Sequence, residues 1–427
     1  MRMALDGAIP GRQVGGMTDA ITPPRDIARQ LFTAGVAAAD PSGAVRRALE
    51  KASVAAPPGG RLVVIALGKA ALGMARAAMA AARPDAVLVV TNYENAAELP
   101  GAQVMASGHP VPDARGEAAA RRVEALLGDL GPGDRVLALI SGGGSALLPA
   151  PAPGLTLEDK ARVNRLLLAS GAEITEMNLV RQQLSRLKGG GFLRVAAPAG
   201  VTALILSDVI GDDLRVIASG PTVAPIGTQA EARAALQARG IWEDLPESVR
   251  AHLSAPSEAP DLPTADNRLI GSNAQSVVAM AAAAPDAQVI EAPLEGDVAE
   301  AAARIAALGP GTWLMGGETT VVLRGTGRGG RNQELALRVA LLAEARGWVP
   351  GWVFLSGGTD GRDGPTDAAG GLVDAGTLGR IRAAGLDPQA LLARNDSYAA
   401  LQAAGDLLIT GATGTNVADL QVLIRPR

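Results

Sequence analysis

The chain has 427 residues, 48% hydrophobic and 19% charged, which is long enough for two domains and too apolar for a disordered chain. A net charge of −4 with interspersed signs excludes the basic stripe of a nucleic-acid or acidic-membrane binder. The absence of cysteine and the presence of only two histidines exclude disulfides, thiolate catalysis and a multi-histidine zinc site, so a metal would rest on carboxylates, as Mg²⁺ does.

Residues 1–16 lack the apolar region of a signal peptide and read as a disordered extension, or an upstream start, ahead of Met17. The apolar stretch 62–82 is mostly alanine and carries Lys69 and Arg76, which argues against a membrane span and makes the cytoplasm the expected location. That stretch opens a recurring unit of apolar run, glycine and alanine-rich helix, the pattern of parallel strands with crossover helices. Residues 61–67 run into Gly68 and Lys69, with a helix expected over 70–82, and a second strand is expected over 86–91. The run 135–140 ends in Ser141-Gly142-Gly143-Gly144-Ser145, and 201–206 ends in Ser207-Asp208. Residues 225–266, rich in proline, alanine and charge, mark the boundary between a domain over 17–260 and a smaller one over 261–427, whose end is free to return to the first. Beyond it, 268–270, 312–315 and 352–355 again precede glycine turns, so the distal half is expected to repeat the parallel α/β architecture.

Open parallel sheets bind ligands outside the carboxyl ends of their strands, where these turns lie, and converging backbone N–H groups suit them to anions. A single such turn reads equally well as plain chain reversal. Lys69 offers a point charge for a phosphate or carboxylate. Gly68 and Gly73 form neither a Walker A loop nor a dinucleotide fingerprint. Helical spacing over 180–188 puts Val180, Leu184 and Leu187 on one face and Arg181, Ser185 and Lys188 on the next, a basic edge that either lines an anion pocket or is solvated. Asp208 can hold Mg²⁺ or accept a hydroxyl proton, while Asp212 and Asp213 read as turn residues. His109, between glycine and proline, reads as part of a rigid turn, with proton carriage as the second reading.

The glycine-loosened loop 324–334 brings Arg328 and Arg331 to a helix start, an arrangement favourable to an anion. Residues 356–367 do not form an EF-hand, because Arg362 stands where a ligand is needed; the loop suits Mg²⁺ with nucleotide phosphate and points to Asp360 and Asp363. By the same turn logic Glu318 is assigned to the substrate side, and Asn273, Gly357, Gly358 and Thr359 to the nucleotide side. The Ser141 to Ser145 turn is expected on the substrate side.

Eight stretches carry a resemblance: ALGKAALGMA from Ala66, SGHPVPD from Ser107, LISGGGSALLPAP from Leu139, NLVRQQLSRLKGG from Asn178, LSDVIGDDLRVIASGPT from Leu206, GGRNQELAL from Gly329, SGGTDGRDGPTDAAG from Ser356 and TGATGTNVADL from Thr410. In this order the set resembles the class II D-glycerate 2-kinases, whose distal half is called the multi-organism fragment with rich leucine domain. The resemblance implies an N-terminal Rossmann-like domain, a C-terminal α/β domain and a cleft between them. There ATP and Mg²⁺ would support phosphorylation of the 2-hydroxyl of D-glycerate. Lys69 and Arg331 fall where the family's catalytic pair lies, with Asp208 the candidate base. The implied partners are glycerate and nucleotide, with a homodimer left open. Two rival readings stand beside it: an NAD(P)H-dependent hydroxypyruvate reductase, which lacks its glycine fingerprint here, and a non-catalytic phosphosugar sensor, which would not need a lysine and an arginine in separate halves.

Overall fold

The computed structural model describes residues 22–256 and 261–426. The expected extension over 1–16 and the Met17 start lie outside these residues. A first sheet holds β1 (Leu62–Leu67), β2 (Ala86–Asn92), β3 (Gln103–Ser107), β4 (Arg135–Ile140), β5 (Gly200–Leu206) and β6 (Ala265–Gly271). All neighbours are parallel, in the order β3-β2-β1-β4-β5-β6. Helices cover both faces, which is why the strands read as unbroken apolar runs. Ala119, Val123 and Phe192 pack on one face, and Val45, Met74 and Ala78 on the other. A satellite core of Val163, Leu167, Val180, Leu236 and Val249 joins the four helices Leu157–Ala169, Ile174–Gln183, Gln229–Ala238 and Glu247–Ser254 beside the sheet.

The second sheet contains β7 (Gln288–Val289), β8 (Leu294–Asp297), β9 (Gly311–Thr320), β10 (Val353–Gly358), β11 (Gly370–Asp374), β12 (Leu407–Leu408) and β13 (Asp419–Arg425). Its order is β12-β11-β10-β13-β9-β7, with β8 also paired to β9. The expected repeat of a parallel architecture is corrected here: β10 runs antiparallel to β11 and β13, and β13 antiparallel to β9. The connection from β10 to β11 holds no helix, and parallel neighbours need a crossover of about a dozen residues or more, generally helical.

Two boundaries also shift. β6, assigned by the sequence to the distal half, closes the first sheet, so the handover follows Gly271. The helix Pro24–Ala38, at the start of the chain, packs on the second sheet through Leu31 and Phe32 against Leu355 and Leu420. The chain end stays in the second sheet as β13. The helix expected through Lys188 stops at Gln183. Ser185 bridges to Pro151, and Arg186 N–H donates to the Ala150 carbonyl at 2.9 Å, so pairing with a distant segment overrides the helical spacing.

Candidate active site

Strand order in the first sheet reverses between β1 and β4, with β2 and β3 to one side and β5 and β6 to the other. Segments leaving the carboxyl ends of β1 and β4 therefore diverge and leave a crevice of the kind in which open α/β sheets bind ligands. The Lys69 and Ser141 turns enter it stitched together. Lys69 N–H donates to the Gly142 carbonyl at 2.9 Å, and Ala70 N–H donates to Ser141 Oγ at 3.1 Å. Gly143 adopts φ of +84°, the left-handed region open to glycine. A Cβ there would lie 3.2 Å from both Lys69 Cγ and His109 Cδ2, and one on Gly142 would lie 2.0 Å from Asp208 Oδ2. Lys69, His109 and Asp208 thus crowd over the turn. The N–H groups of Gly143, Gly144 and Ser145 take no partner among the described residues.

Burial pushes the Asp208 carboxyl above the ordinary carboxylate value; its own backbone and Lys69 pull against this, and the charge of Glu318 adds to it. Burial lowers the pKa of the His109 imidazole, as does Lys69, with Glu94 opposing, so the ring is neutral at pH 7.

The second wall is built around Arg331, first residue of the helix Arg331–Ala345. Asp419, only 1% exposed at the head of β13, grips its guanidinium at 2.6 and 3.0 Å, and Glu318 at the end of β9 lies 2.7 Å away. Burial works to lower the Arg331 pKa, but the Asp419 hydrogen bonds and the charges of Asp419, Glu318 and Asp363 raise it overall. Gly330 leaves the helix without a side-chain cap. Asp363 supplies one from a distant loop, accepting from Asn332 N–H at 3.1 Å and Gln333 N–H at 2.8 Å. A Cβ on Gly330 would meet the Asp363 carboxyl carbon at 2.3 Å, so glycine admits this cap. Burial pushes Asp363 up to about 6, against the pull of the Gln333 and Asn332 N–H groups.

The two sides are coupled electrostatically, since the charge of Glu318 adds to the rise at Asp208. On the second side Glu318 and Asp419 flank Arg331. Asp360 joins them: its Oδ1 and that of Asp419 lie 3.3 and 3.6 Å from the point where a Cβ on Gly358 would sit.

Other residues singled out in the sequence sit around this core rather than in it. Ser145 receives both a backbone and a hydroxyl contact from the buried Lys188 Nζ, at 2.5 and 2.6 Å. Arg181 is held by Asn164, its Nε donating to Oδ1 at 3.0 Å. Asn273 donates to the Val417 and Asp419 carbonyls at 2.8 Å each, and the Thr359 hydroxyl donates to the Ala418 carbonyl at 2.7 Å. These two fasten the segment that carries Asp419. Gly357 faces the side chains of Leu408 and Phe32 inside the core. Asp363 spends both oxygens on the helix start, a task different from the expected metal role. Asp419 escaped sequence reading; its signal is a lone acid heading the apolar run of β13.

Residues 27–254 match a family described as a domain of unknown function, DUF4147, and residues 311–419 match the MOFRL family. A D-glycerate 2-kinase from Thermotoga maritima is 40% identical over 417 residues, covering 93% of this chain and 97% of its own. A relative from Agrobacterium vitis, 44% identical over 425 residues and covering 94% of both chains, bears the name hydroxypyruvate reductase only provisionally. A crystal structure of glycerate kinase from Thermotoga maritima shares the fold with a TM-score of 0.87 at 39% identity, covering 94% of this chain and 99% of that one. With about 40% identity to a glycerate 2-kinase over nearly its whole length and the fold of a glycerate kinase, the chain belongs to the glycerate kinase family.

Proposed function

We propose that this chain transfers the γ-phosphoryl group of ATP to the 2-hydroxyl of D-glycerate in the cleft between Lys69 and Arg331. What supports the reading is Lys69 at the switch point of the first sheet beside the buried Asp208 carboxylate, together with Arg331 on the second sheet, whose neighbour Glu318 acts on Asp208. Phosphoryl transfer asks mainly for positioning and charge neutralisation, and this arrangement provides both.

Glycerate's carboxylate fits the free N–H groups of Gly143, Gly144 and Ser145 beside Lys69. Asp208, whose raised pKa marks it as a proton acceptor, takes the proton of the 2-hydroxyl as that oxygen bonds to phosphorus and the bond to the departing ADP oxygen breaks. Arg331, fixed by Asp419, neutralises charge on the transferring group. Among the described residues no three acidic or histidine side chains converge as a metal cage. Mg²⁺ held largely by nucleotide phosphates needs only one or two carboxylates, and Asp360 and Glu318 border the Arg331 side of the cleft for that purpose. The metal would supply charge neutralisation on those phosphates.

The reductase reading finds no support in the turn after β1, which reads Gly68-Lys69-Ala70-Ala71-Leu72-Gly73 rather than a dinucleotide fingerprint. The test is incubation with D-glycerate, ATP and Mg²⁺ with products identified by phosphorus NMR, beside hydroxypyruvate with NADH. The expected product is 2-phosphoglycerate. Formation of 3-phosphoglycerate alone overturns the regiochemistry, and NADH consumption without ADP overturns the kinase.

A further inference from the structure

A cleft of about 820 Å³ opens on the first half of the chain, lined by residues of 152–256 that include neither Lys69 nor Asp208 nor Arg331. Among the described residues its lining carries Arg186, Arg194 and Arg233, with Lys188 and His252 beside them, and no aspartate or glutamate. In a protein of net charge −4 this is a local reversal of sign. Among the described residues only Arg186 of these cations has a carboxylate partner, gripping Glu124 at 2.6 and 2.8 Å. Lys188 is buried with its Nζ on Ser145 alone, the Arg194 Nε is buried without a hydrogen bond, and Arg233 lies over the Trp242 ring at 5.2 Å. Like charges gathered in a concave, partly desolvated surface repel unless an anion joins them.

The rest of the lining narrows the class of anion. Gln229 Nε2 lies 3.3 Å from His252 Nε2 and its Oε1 is buried without a hydrogen bond, while the Gln183 side chain donates to the Gly227 carbonyl at 2.6 Å. The unpaired Gln229 Oε1 and the neighbouring Gln237 offer amide groups suited to sugar-like hydroxyls. The volume is that of a small-molecule site, roughly 300–1,000 Å³, and exceeds what an inorganic anion fills.

We propose that this cleft is a second ligand site, taking a phosphate monoester on a hydroxyl-bearing frame. Arg194 and Arg233 bind the phosphate, and the glutamine side binds the frame. Lys188, beside them in the lining, holds the Ser145 carbonyl and hydroxyl, so occupancy reaches the turn that forms the catalytic wall. The site goes beyond the kinase reading and does not depend on which product that reaction gives.

The experiment is titration calorimetry with inorganic phosphate, glucose 6-phosphate and AMP, on the wild-type protein, Lys69→Ala, Arg233→Glu and Arg194→Gln, with circular dichroism as the control for folding. Arg233 is exposed, so its reversal leaves the core untouched. A monophosphate is expected to bind the wild type and Lys69→Ala alike and to lose about tenfold or more in affinity in Arg233→Glu and Arg194→Gln. Glucose 6-phosphate and AMP arms distinguish a sugar frame from a nucleoside one. No measurable binding, unchanged affinity in both arginine variants, loss in Lys69→Ala, or inorganic phosphate binding as tightly as either ester would each overturn the proposal. Glycerate turnover measured on the same variants keeps the outcomes separate: lost monophosphate binding with retained turnover supports the second site whatever the kinase assay gives.

Discussion

Asp208 follows the end of β5 and Asp419 heads β13, and their surroundings set these two acids different tasks. Asp208 has Lys69 near it and no ion pair among the described residues, and burial raises its pKa. As the proton acceptor it must be ionised, so kcat/KM is expected to fall as pH drops, starting above the ordinary carboxylate range. Asp208→Asn should remove that acid limb and lower kcat by roughly a hundredfold to ten-thousandfold; a pH profile with the limb intact in the variant would assign the titration to another group. Asp419 is spent wholly on Arg331. Asp419→Asn replaces one acceptor oxygen of a charged pair by an amide, a loss of about 1.5–3 kcal/mol for a charge-assisted bond. That corresponds to about a tenfold to hundredfold fall in kcat. Because the residue positions another, KM for glycerate should move little, and Asp419→Glu should restore less than the wild type since the grip at 2.6 and 3.0 Å leaves no room for a longer chain. Lys69 and Arg331 were singled out in the sequence because each follows a glycine, and Asp208 because it follows an apolar strand. Asp419 was not, because its partner lies 88 residues away and no local spacing announces it.

At the scale of elements, the helix that presents Arg331 depends on a cap it does not carry. Gly330 has no side chain, and Asp363 reaches in to accept from the Asn332 and Gln333 N–H groups. Burial raises the Asp363 pKa to about 6, above an unfolded value near 3.9. A raised folded pKa contributes stability that is fully present below the unfolded value and is lost as pH rises through the folded one. In Asp363→Asn this contribution is gone, so the wild type's advantage over the variant should be largest below about pH 4, shrink as pH rises from about 4 to about 6, and level off above that. What persists at pH 7 is the loss of the cap, about 1 kcal/mol. Thermal melts of both proteins across that range check the sign; an advantage that grows with pH would mean the carboxylate is stabilised in the fold. The loop 356–367 was noticed in the sequence for its glycines and acids, but composition does not say whether an aspartate faces a metal or a helix end. Likewise the 3.6-residue spacing over 180–188 was real, and pairing of Ser185 with Pro151 cut the helix short of it.

Across the whole molecule, the cleft exists because the chain crosses between its two sheets beside the reacting groups. It starts on the second sheet with the helix Pro24–Ala38, builds the first through β6, and returns after Gly271, whose carbonyl accepts from Ser207 N–H next to Asp208. Near its end Thr415 donates to the Ala39 carbonyl at 2.7 Å and Val417 enters a core of the first sheet, two residues before Asp419. Four strands of the parallel first sheet could be read from sequence as apolar runs, two of them ending in glycine turns, whereas β3, half-exposed, was not named and β6 was given to the distal half. The contribution of the first helix to the second sheet could not, because that contact joins segments more than three hundred residues apart. Phe32 is its centre: 3% exposed, it packs among Leu355, Leu372 and Leu420 and touches β10 where Gly357 leaves space. Phe32→Ala should therefore cost about 3–5 kcal/mol, a typical loss for emptying such a site, although the residue lies far from the second sheet in sequence. Hydrogen exchange should locate the loss, with amides of β10 and β13 losing more protection than those of β1 and β4. Equal loss in both sheets would mean that they unfold as one unit, and loss confined to the first would place this helix's stabilising contacts in the wrong body. Because the same helix leads directly into Ala39 and its bond to Thr415, the variant should also loosen the register of Asp419 against Arg331, lowering kcat at temperatures where the protein is still folded.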